Sequence, residues 1–558
     1  MVSQDESEDE DLKYAIALSL QQRPRTEQQE EGEEEGKGGE GGGGGGQGRQ
    51  GEDGVSEPVH PGVGDASFTL LSLNRKRMED ERLARLAAKR TRSDSRDDDV
   101  EEIPAPKRGR KSPANHQNDH APIPYPNGVV KRTWARGYET SEDVIHIDEI
   151  LQKDKLLLAI FSSFQWNESW LLGKINLSQT KVLLAAFAAN DAQKELMRQN
   201  APDNVRFCFP PMHGYHCMHS KLQILKFPNY LRIVIPTGNL VPYDWGETGL
   251  MENMVFLIDL PLSSREDNKP PQMTLFQSHL QQYLHAMGVG AEMIASLSKY
   301  DFAKTADLGF VYSIPGRHLT SSPSPVGFAG LATTVAALGL ASHQPIQVDY
   351  ACASLGALKY DFLKSIYSAC QGSINLGAAT GTKSGKDDVD ALQLQENFRI
   401  YFPSNDTVVS SRGGERAAGT ICFQENWWKA PTFPKELMRD CVNTRDGLLM
   451  HSKLILVRQA GTSATGAEKK VAWAYIGSAN LSESAWGSVV RGKAAGEGKI
   501  LCRNWECGVV VPVRTASQQN SPSDMGIFSG TVPVPMQVPG RQYSPNEQPW
   551  FFRGSRIG

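Results

Sequence analysis

The chain has 558 residues, a formal net charge of −5 and 39% apolar residues, enough for roughly two to four domains with a substantial core. Charge is uneven: residues 1–60 carry 16 acidic and 5 basic side chains, a net of −11, so the rest carries +6, and that mildly basic body tolerates a polyanionic partner. There is no apolar N-terminal signal region and no run of about 18 uninterrupted apolar residues, which argues against secretion and against a membrane helix. All eight cysteines lie at or after Cys208. None forms a CxxC pair or a zinc-spaced His/Cys cluster, so reduced thiols in a cytosolic or nuclear protein are expected, with no structural metal.

Residues 1 to about 130 read as a disordered tail. Glu30 to Glu35 is an acidic run and Gly38 to Gly46 is nearly all glycine; such a segment cannot bury enough apolar surface to offset its ordering entropy. Two islands interrupt it. Residues 8–22 form the first, with Glu8, Asp9, Glu10 and Asp11 at the N-terminal end of a helix-forming run, where acids favour the dipole. Leu12, Ala15, Ile16 and Ser19 share one face at i, i+3, i+4, i+7 spacing. The acidic lead, the small Ala15 and Ser19 four residues later resemble a ubiquitin-interacting motif. That resemblance implies contact of Leu12, Ala15 and Ile16 with ubiquitin's apolar patch, with Ser19 capping it. The second island, residues 75–111, holds Arg75-Lys76-Arg77, Lys89-Arg90-Thr91-Arg92 and Lys107-Arg108-Gly109-Arg110-Lys111. Recurring basic clusters of this kind predict nuclear import.

From about 135 the composition is globular. Lys181 to Ala188 and Leu231 to Pro236 predict buried strands. Gln277 to His285, Gly327 to Ala341 and Ser354 to Gln371 predict helices. Alternating strands and helices argue for α/β layers. A Ser/Pro-rich stretch, Pro315 to Pro325, divides the body into halves at about 135–320 and 325–558.

Each half carries His-Ser-Lys followed by Asn-Leu. The first set is His219-Ser220-Lys221 with Asn239-Leu240, and the second is His451-Ser452-Lys453 with Asn480-Leu481. In a strand Tyr215 to Phe227, His219 and Lys221 would share a face. A turn at Pro228-Asn229 would lead into Leu231 to Pro236 and bring Asn239 alongside. Leu448 to Arg458 and Val471 to Ile476 repeat the plan, with a longer loop at about Gln459 to Lys470. A further strand in each half begins on a polar residue, Glu252-Asn253 in one and Glu506 in the other.

These residue types suit a phosphodiester. Histidine near neutral pH attacks phosphorus or moves a proton. Lys221 and Lys453 supply charge, and Asn239 and Asn480 supply directed N–H donors, where charge builds on the nonbridging oxygens. Two histidines from two half-sites fit in-line displacement, one attacking and the other protonating the leaving oxygen and then deprotonating water. No carboxylate cluster that would hold a catalytic metal is evident, and no cofactor is expected. Many His-Lys phospholipases carry an Asp five residues after each Lys; Lys226 and Arg458 occupy those positions here.

At these residues the chain resembles the tyrosyl-DNA phosphodiesterase branch of the phospholipase D superfamily. Gly214 to Lys221, Asn239-Leu240 with Asp244-Trp245, Ser478 to Ser482 with Ala485-Trp486-Gly487, and Glu506-Cys507-Gly508-Val509 carry the resemblance, which spans about residues 135 to 550. It implies two α-β-α sandwich domains related by pseudo-twofold symmetry, with the site between them. It implies a DNA repair enzyme that cleaves the bond between a DNA 3′ phosphate and a tyrosine of stalled topoisomerase I, and removes other 3′ blocking groups. By the same resemblance His219 would be the nucleophile, forming a phosphohistidine, and His451 the general acid and then base. Lys221, Lys453, Asn239 and Asn480 would hold the phosphate, Glu506 would orient His451, and Asn253, with Glu252 adjacent, would orient His219. Ser354 matches a DNA-contact segment, with Ala357 where a second hydroxyl is common. Beyond Pro549-Trp550 the family usually continues, so the resemblance implies either that part of the peptide-side groove is absent or that the sequence is incomplete at this end. The partners implied are single-stranded or nicked DNA with a blocked 3′ end, a topoisomerase I-derived peptide and ubiquitin. One chain supplies both half-sites, so a monomer suffices. A different phospholipase D superfamily nuclease or phosphodiesterase, and a non-catalytic ubiquitin- and DNA-binding adaptor, are the competing readings.

Overall fold

The computed structural model describes residues 122–552, apart from 215, 264–272, 376–390, 460–471, 491–497 and 514–524. The ubiquitin-interacting segment with Leu12, Ala15, Ile16 and Ser19, the basic clusters, and most of the loop expected at Gln459 to Lys470 therefore lie outside the described residues.

The strands of the first half are β1 (Val129–Thr133), β2 (Val144–Ile145), β3 (Leu158–Ser162), β4 (Lys181–Ala185), β5 (Val205–Cys208), β6 (Cys217–Met218), β7 (Gln223–Lys226), β8 (Tyr230–Pro236), β9 (Met251–Glu252) and β10 (Met254–Pro261). Those of the second are β11 (Gly309–Ser313), β12 (Gly316–Leu319), β13 (Ile346–Ala351), β14 (Phe398–Phe402), β15 (Met438–Asp440), β16 (Leu449–Met450), β17 (Leu454–Gln459), β18 (Ala472–Gly477), β19 (Ser488–Val490), β20 (Lys499–Cys502) and β21 (Asn504–Pro512). One sheet runs β2-β1-β10-β8-β7-β3-β4-β5 and the other β11-β21-β18-β17-β13-β14-β15. From β1 and β11 onward the two orders correspond strand for strand. So do the senses. The first four pairings in each sheet are antiparallel and the last two are parallel. A repeated topology is what a pseudo-twofold architecture requires.

Both faces of the first sheet are covered, so its central strands read as continuous apolar runs rather than alternating ones. Alternation still sorts their side chains. Leu231, Ile233 and Ile235 of β8, with Phe256, Ile258 and Leu260 of β10, enter a core shared with the second half, where Phe310, Tyr475 and Val509 also lie. Val234, Val255 and Leu257 point into a separate core with Ile147, Leu171 and Val182. The helices Leu275–Ala286 and Gly327–Ala337 pack on β11. Gly327–Ala337 stops short of Ala341, with Gly339 beyond it at φ 67°, and Tyr360–Cys370 begins later than Ser354, because residues 353–359 are irregular and 354–358 line a cavity.

The strands expected to carry the histidines are not continuous. β6 ends at Met218 and β7 begins at Gln223; β16 ends at Met450 and β17 begins at Leu454. His219, Lys221, His451 and Lys453 sit in the breaks. The physical reason is a change of partner. β6 pairs in parallel with β21 of the second half, and β16 pairs in parallel with β9 of the first. Each chain segment leaves its own sheet to pair with the other half just before its histidine.

Candidate active site

The crossing strands fix the histidine backbones. His219 N–H donates to Trp505 O at 3.1 Å, and His451 N–H donates to Glu252 O at 2.9 Å. Each lysine folds back on its own histidine. Lys221 Nζ donates to His219 O at 2.8 Å, and Lys453 Nζ to His451 O at 2.6 Å. Lys453 Nζ also reaches Thr237 O of the first half at 3.2 Å.

Behind each imidazole stands a carboxylate from the opposite half. His219 Nδ1 lies 2.9 Å from Glu506 Oε2. His451 Nδ1 lies 3.0 Å from Asp244 Oδ1 and 3.1 Å from Oδ2. An ionised carboxylate only accepts, so both Nδ1 atoms carry hydrogen and both Nε2 atoms are acceptors, that of His219 taking a long contact of 3.4 Å from Lys221 Nζ. Two expected pairings are thus corrected. Glu506 serves His219, not His451, because β21 pairs with the strand leading into His219. Neither Asn253 nor Glu252 touches His219. Asn253 Nδ2 donates to the Asp244 carbonyl and carboxylate at 2.9 and 3.2 Å. Glu252 is turned away, clamped by Arg132 (Nε–Oε1 3.0 Å, Nη2–Oε2 2.9 Å) and by Arg445 Nε at 2.7 Å.

The asparagines end β8 and β18. Asn480 Oδ1 accepts from Ala353 N and Ser354 N at 3.3 and 3.1 Å, which leaves its amide N–H groups for a ligand. Asn239 is 1% exposed, its N–H donates to Asp244 Oδ2 at 2.6 Å, and its O accepts from Trp245 Nε1 at 2.9 Å.

Burial governs the electrostatics. It pushes His219 down to about 4 against the pull of Glu506, with Lys221 and Lys453 adding to the depression. It does the same to His451 against Asp244, with Lys453 and Lys221 adding. Lys221 is lowered and Lys453 lies well below its usual range, both chiefly by burial. Burial alone would raise Glu506 and Asp244, but their histidines and the adjacent lysines hold both below the usual carboxylate range. Burial is the leading cause of all four depressions, and an anion bound beside these groups would raise each of them.

His219, His451, Asn239, Asn480 and Ser354 line one cavity of about 200 Å³. Lys221 and Lys453 are buried beside their histidines and do not line it. Ala357 lines the cavity too, with an apolar wall of Leu358, Phe362, Phe423, Trp427 and Phe552. The Phe164 ring lies 5.4 Å from that of His219. Sequence reasoning placed Asp244 and Ser478 in motifs without giving them a role, and missed Thr237 and the apolar wall. One signal was available: a hydroxyl stands two residues before each asparagine, in Thr237-Gly238-Asn239 and Ser478-Ala479-Asn480. Thr237 Oγ donates to Asn253 and Ser478 Oγ to Glu506.

Among the described residues no group of three His, Cys, Asp or Glu side chains could hold a metal ion, and no helix is long and apolar enough to cross a membrane. All eight cysteines are free.

The sequence profile of the tyrosyl-DNA phosphodiesterase family matches residues 129–544, and that of the ubiquitin interaction motif matches residues 7–22. Tyrosyl-DNA phosphodiesterase 1 of Arabidopsis thaliana is 23% identical over 461 residues, covering 73% of this chain and 71% of the relative. A probable tyrosyl-DNA phosphodiesterase of Caenorhabditis elegans is 23% identical over 444 residues, covering 74% and 85%. The crystal structure of the yeast tyrosyl-DNA phosphodiesterase superposes with a TM-score of 0.55 at 19% identity, over 76% of this chain and 100% of that one.

Proposed function

This chain belongs to the tyrosyl-DNA phosphodiesterase family, and we propose that its two crossed half-sites hydrolyse the bond between a DNA 3′ phosphate and a tyrosine of stalled topoisomerase I, or another 3′ blocking group. It is a phosphoric diester hydrolase with a phospholipase D-like fold. The observation that carries the mechanism is the convergence on one cavity of a His and an Asn from each half, with a buried lysine beside each histidine and a carboxylate behind each imidazole.

His219 is the nucleophile. It is neutral near pH 7, its Nε2 lone pair reaches phosphorus as Lys221 Nζ, 3.4 Å away, turns to the phosphate, and Glu506 is placed to stabilise the positive charge that attack creates. The phosphate sits between Lys221 and Lys453, with the amides of Asn239 and Asn480 on its nonbridging oxygens. Its negative charge raises His451, which then carries a proton for the tyrosyl oxygen to take as it departs. The phosphorus–oxygen bond breaks as the Nε2–phosphorus bond forms. Neutral His451 next takes a proton from water, the hydroxide attacks phosphorus, and the bonding pair returns to His219 Nε2. Every proton is moved by a residue of the chain. Ser354 contacts the DNA backbone, and the apolar wall takes flat groups on either side of the scissile bond.

The match at residues 7–22 supports ubiquitin binding by Leu12, Ala15, Ile16 and Ser19. The basic clusters between 75 and 111 support a nuclear location. The chain acts as a monomer, since one copy provides both histidines.

The test is incubation with a single-stranded oligonucleotide bearing a 3′-phosphotyrosine, in EDTA. Conversion to a 3′ phosphate is expected. Folded protein that leaves the substrate intact would defeat the proposal.

A further inference from the structure

Pairing across β18–β21 places Ser478 opposite Cys507, and pairing across β8–β10 places Thr237 opposite Met254. Counting back one residue makes Asn253 the counterpart of Glu506. The two halves have therefore solved the same problem differently. In the second half the strand itself carries the carboxylate. In the first the strand carries a neutral amide, and the carboxylate comes from Asp244 in the Pro242–Trp245 turn.

That turn is built to hold it. Asp244 is fully buried and accepts from His451 Nδ1, from Asn239 N–H and from Asn253 Nδ2. Thr237 Oγ donates to Asn253 Oδ1 at 2.8 Å, which turns the amide nitrogen toward Asp244. Gly238 permits the approach: a Cβ there would lie 2.8 Å from Asn253 Cγ. The turn closes at Gly246 with φ 73°, where a Cβ would meet Trp134 O at 1.6 Å.

We propose that Asp244 is a positioning residue of the reaction, holding His451 by its Nδ1 and stabilising its protonated form each time the imidazole gains a proton. This rests on the role proposed above for His451. Three charged groups face that imidazole: Asp244, Lys453 and Lys221. Two are cations, so without the carboxylate His451 would hold a proton only while substrate phosphate is present. Protonation recurs when water is deprotonated, because the proton moves to His451 as the Nε2–phosphorus bond of His219 breaks. A tyrosyl oxygen leaves readily without full protonation, so the second step depends on Asp244 more than the first. The same carboxylate fixes the backbone of Asn239, linking proton transfer to phosphate binding.

The experiment compares wild-type protein, Asp244→Asn and Asp244→Glu in single-turnover reactions on the 3′-phosphotyrosyl oligonucleotide, with adduct resolved on denaturing gels across pH. For Asp244→Asn, adduct formation should stay within about 3-fold while breakdown slows about 10- to 100-fold, the range of a general acid–base contribution. The midpoint of the breakdown profile should move to lower pH, since the imidazole becomes less basic. Asp244→Glu keeps the charge and should recover part of the breakdown rate. A purely structural Asp244 would slow both steps together and leave the midpoint unmoved, and that result overturns the proposal. So does Asp244→Glu breaking down adduct no faster than Asp244→Asn. If wild-type protein forms no adduct, the reading of the mechanism itself fails, and this shows before any variant is compared.

Discussion

Replacing Glu506 with Gln isolates the attack step. Gln keeps the volume and one acceptor but removes the buried charge 2.9 Å from His219 Nδ1. Two unit charges about 4 Å apart interact by about 4 kcal/mol at an effective dielectric of 20. The imidazole is only part-way to its full charge when the nitrogen–phosphorus bond is half formed, so roughly half of that, about 2 kcal/mol, is lost in the transition state. The attack rate should therefore fall about 30-fold. The fold should survive, since Asn504 Nδ2 at 2.9 Å and Ser478 Oγ can still bond the amide. Single-turnover release of tyrosine from the oligonucleotide, sampled before adduct breakdown, gives the rate directly. An attack rate within about 3-fold of wild type, or a loss confined to breakdown, would refute both the crossed pairing and the use made of it.

His219→Ala should abolish turnover and leave no covalent adduct, whereas His451→Ala should let adduct build up when the leaving group is a phenol; equal loss in both without adduct on denaturing gels overturns that division of labour. Attack requires neutral His219, which burial holds near 4 rather than at its ordinary 6.5, so kcat/KM should fall on acidification only well below pH 6.5, and a midpoint at 6.5 or above contradicts the burial argument. For stability the sign is the same: a histidine depressed in the folded state binds its proton first in the unfolded chain. The contributions of His219 and His451 are thus complete above about 6.5 and are lost as pH falls toward about 4, which thermal melts of wild type and His219→Ala should separate. Arg232 is fully buried with both ends of its fork on Asp259 at 2.7 and 2.9 Å. Arg232→Met should destabilise by about 3–5 kcal/mol by stranding Asp259, and Arg232→Met with Asp259→Leu should recover most of it in denaturant titrations.

The repeat was legible because it is written in few residues with fixed order. His, Lys and Asn recur in each half, and the strands that flank them are buried on both faces and so strongly apolar. The sequence also marked Gly508, whose reason is now visible. It faces Gly477 across β18–β21, and a Cβ on it would lie 2.2 Å from the Tyr475 ring. The carboxylate partners were not legible. Glu506 stands near the start of a strand in chain order much as Asn253 does, and order alone assigns each to the nearer histidine. Only the pairings β6–β21 and β16–β9 reverse that assignment, and they join residues almost 290 and 200 positions apart, as in Cys217–Asn504 and Met251–Leu449. A pattern of period two within one strand carries no trace of such a partner. The breaks at His219 and His451 escaped for the same reason, since each segment leaves one ladder only to enter another.

The crossing has a consequence for what the site demands of the fold. Each histidine takes its covalent neighbours from one half, and its backbone partner and its carboxylate from the other. Lys453 reaches across as well, to Thr237 O. Glu252 ties the halves together through Arg132 of the first and Arg445 of the second, and its carbonyl receives His451 N–H. A small shift of one half against the other would therefore lengthen both imidazole–carboxylate bonds at once. It would also separate the phosphate-holding residues from each other. Catalysis of this kind needs groups held to within a fraction of an ångström. The shared core, in which side chains of β8 and β10 meet Phe310, Tyr475 and Val509, is thus as much a part of the active site as the residues that face the cavity.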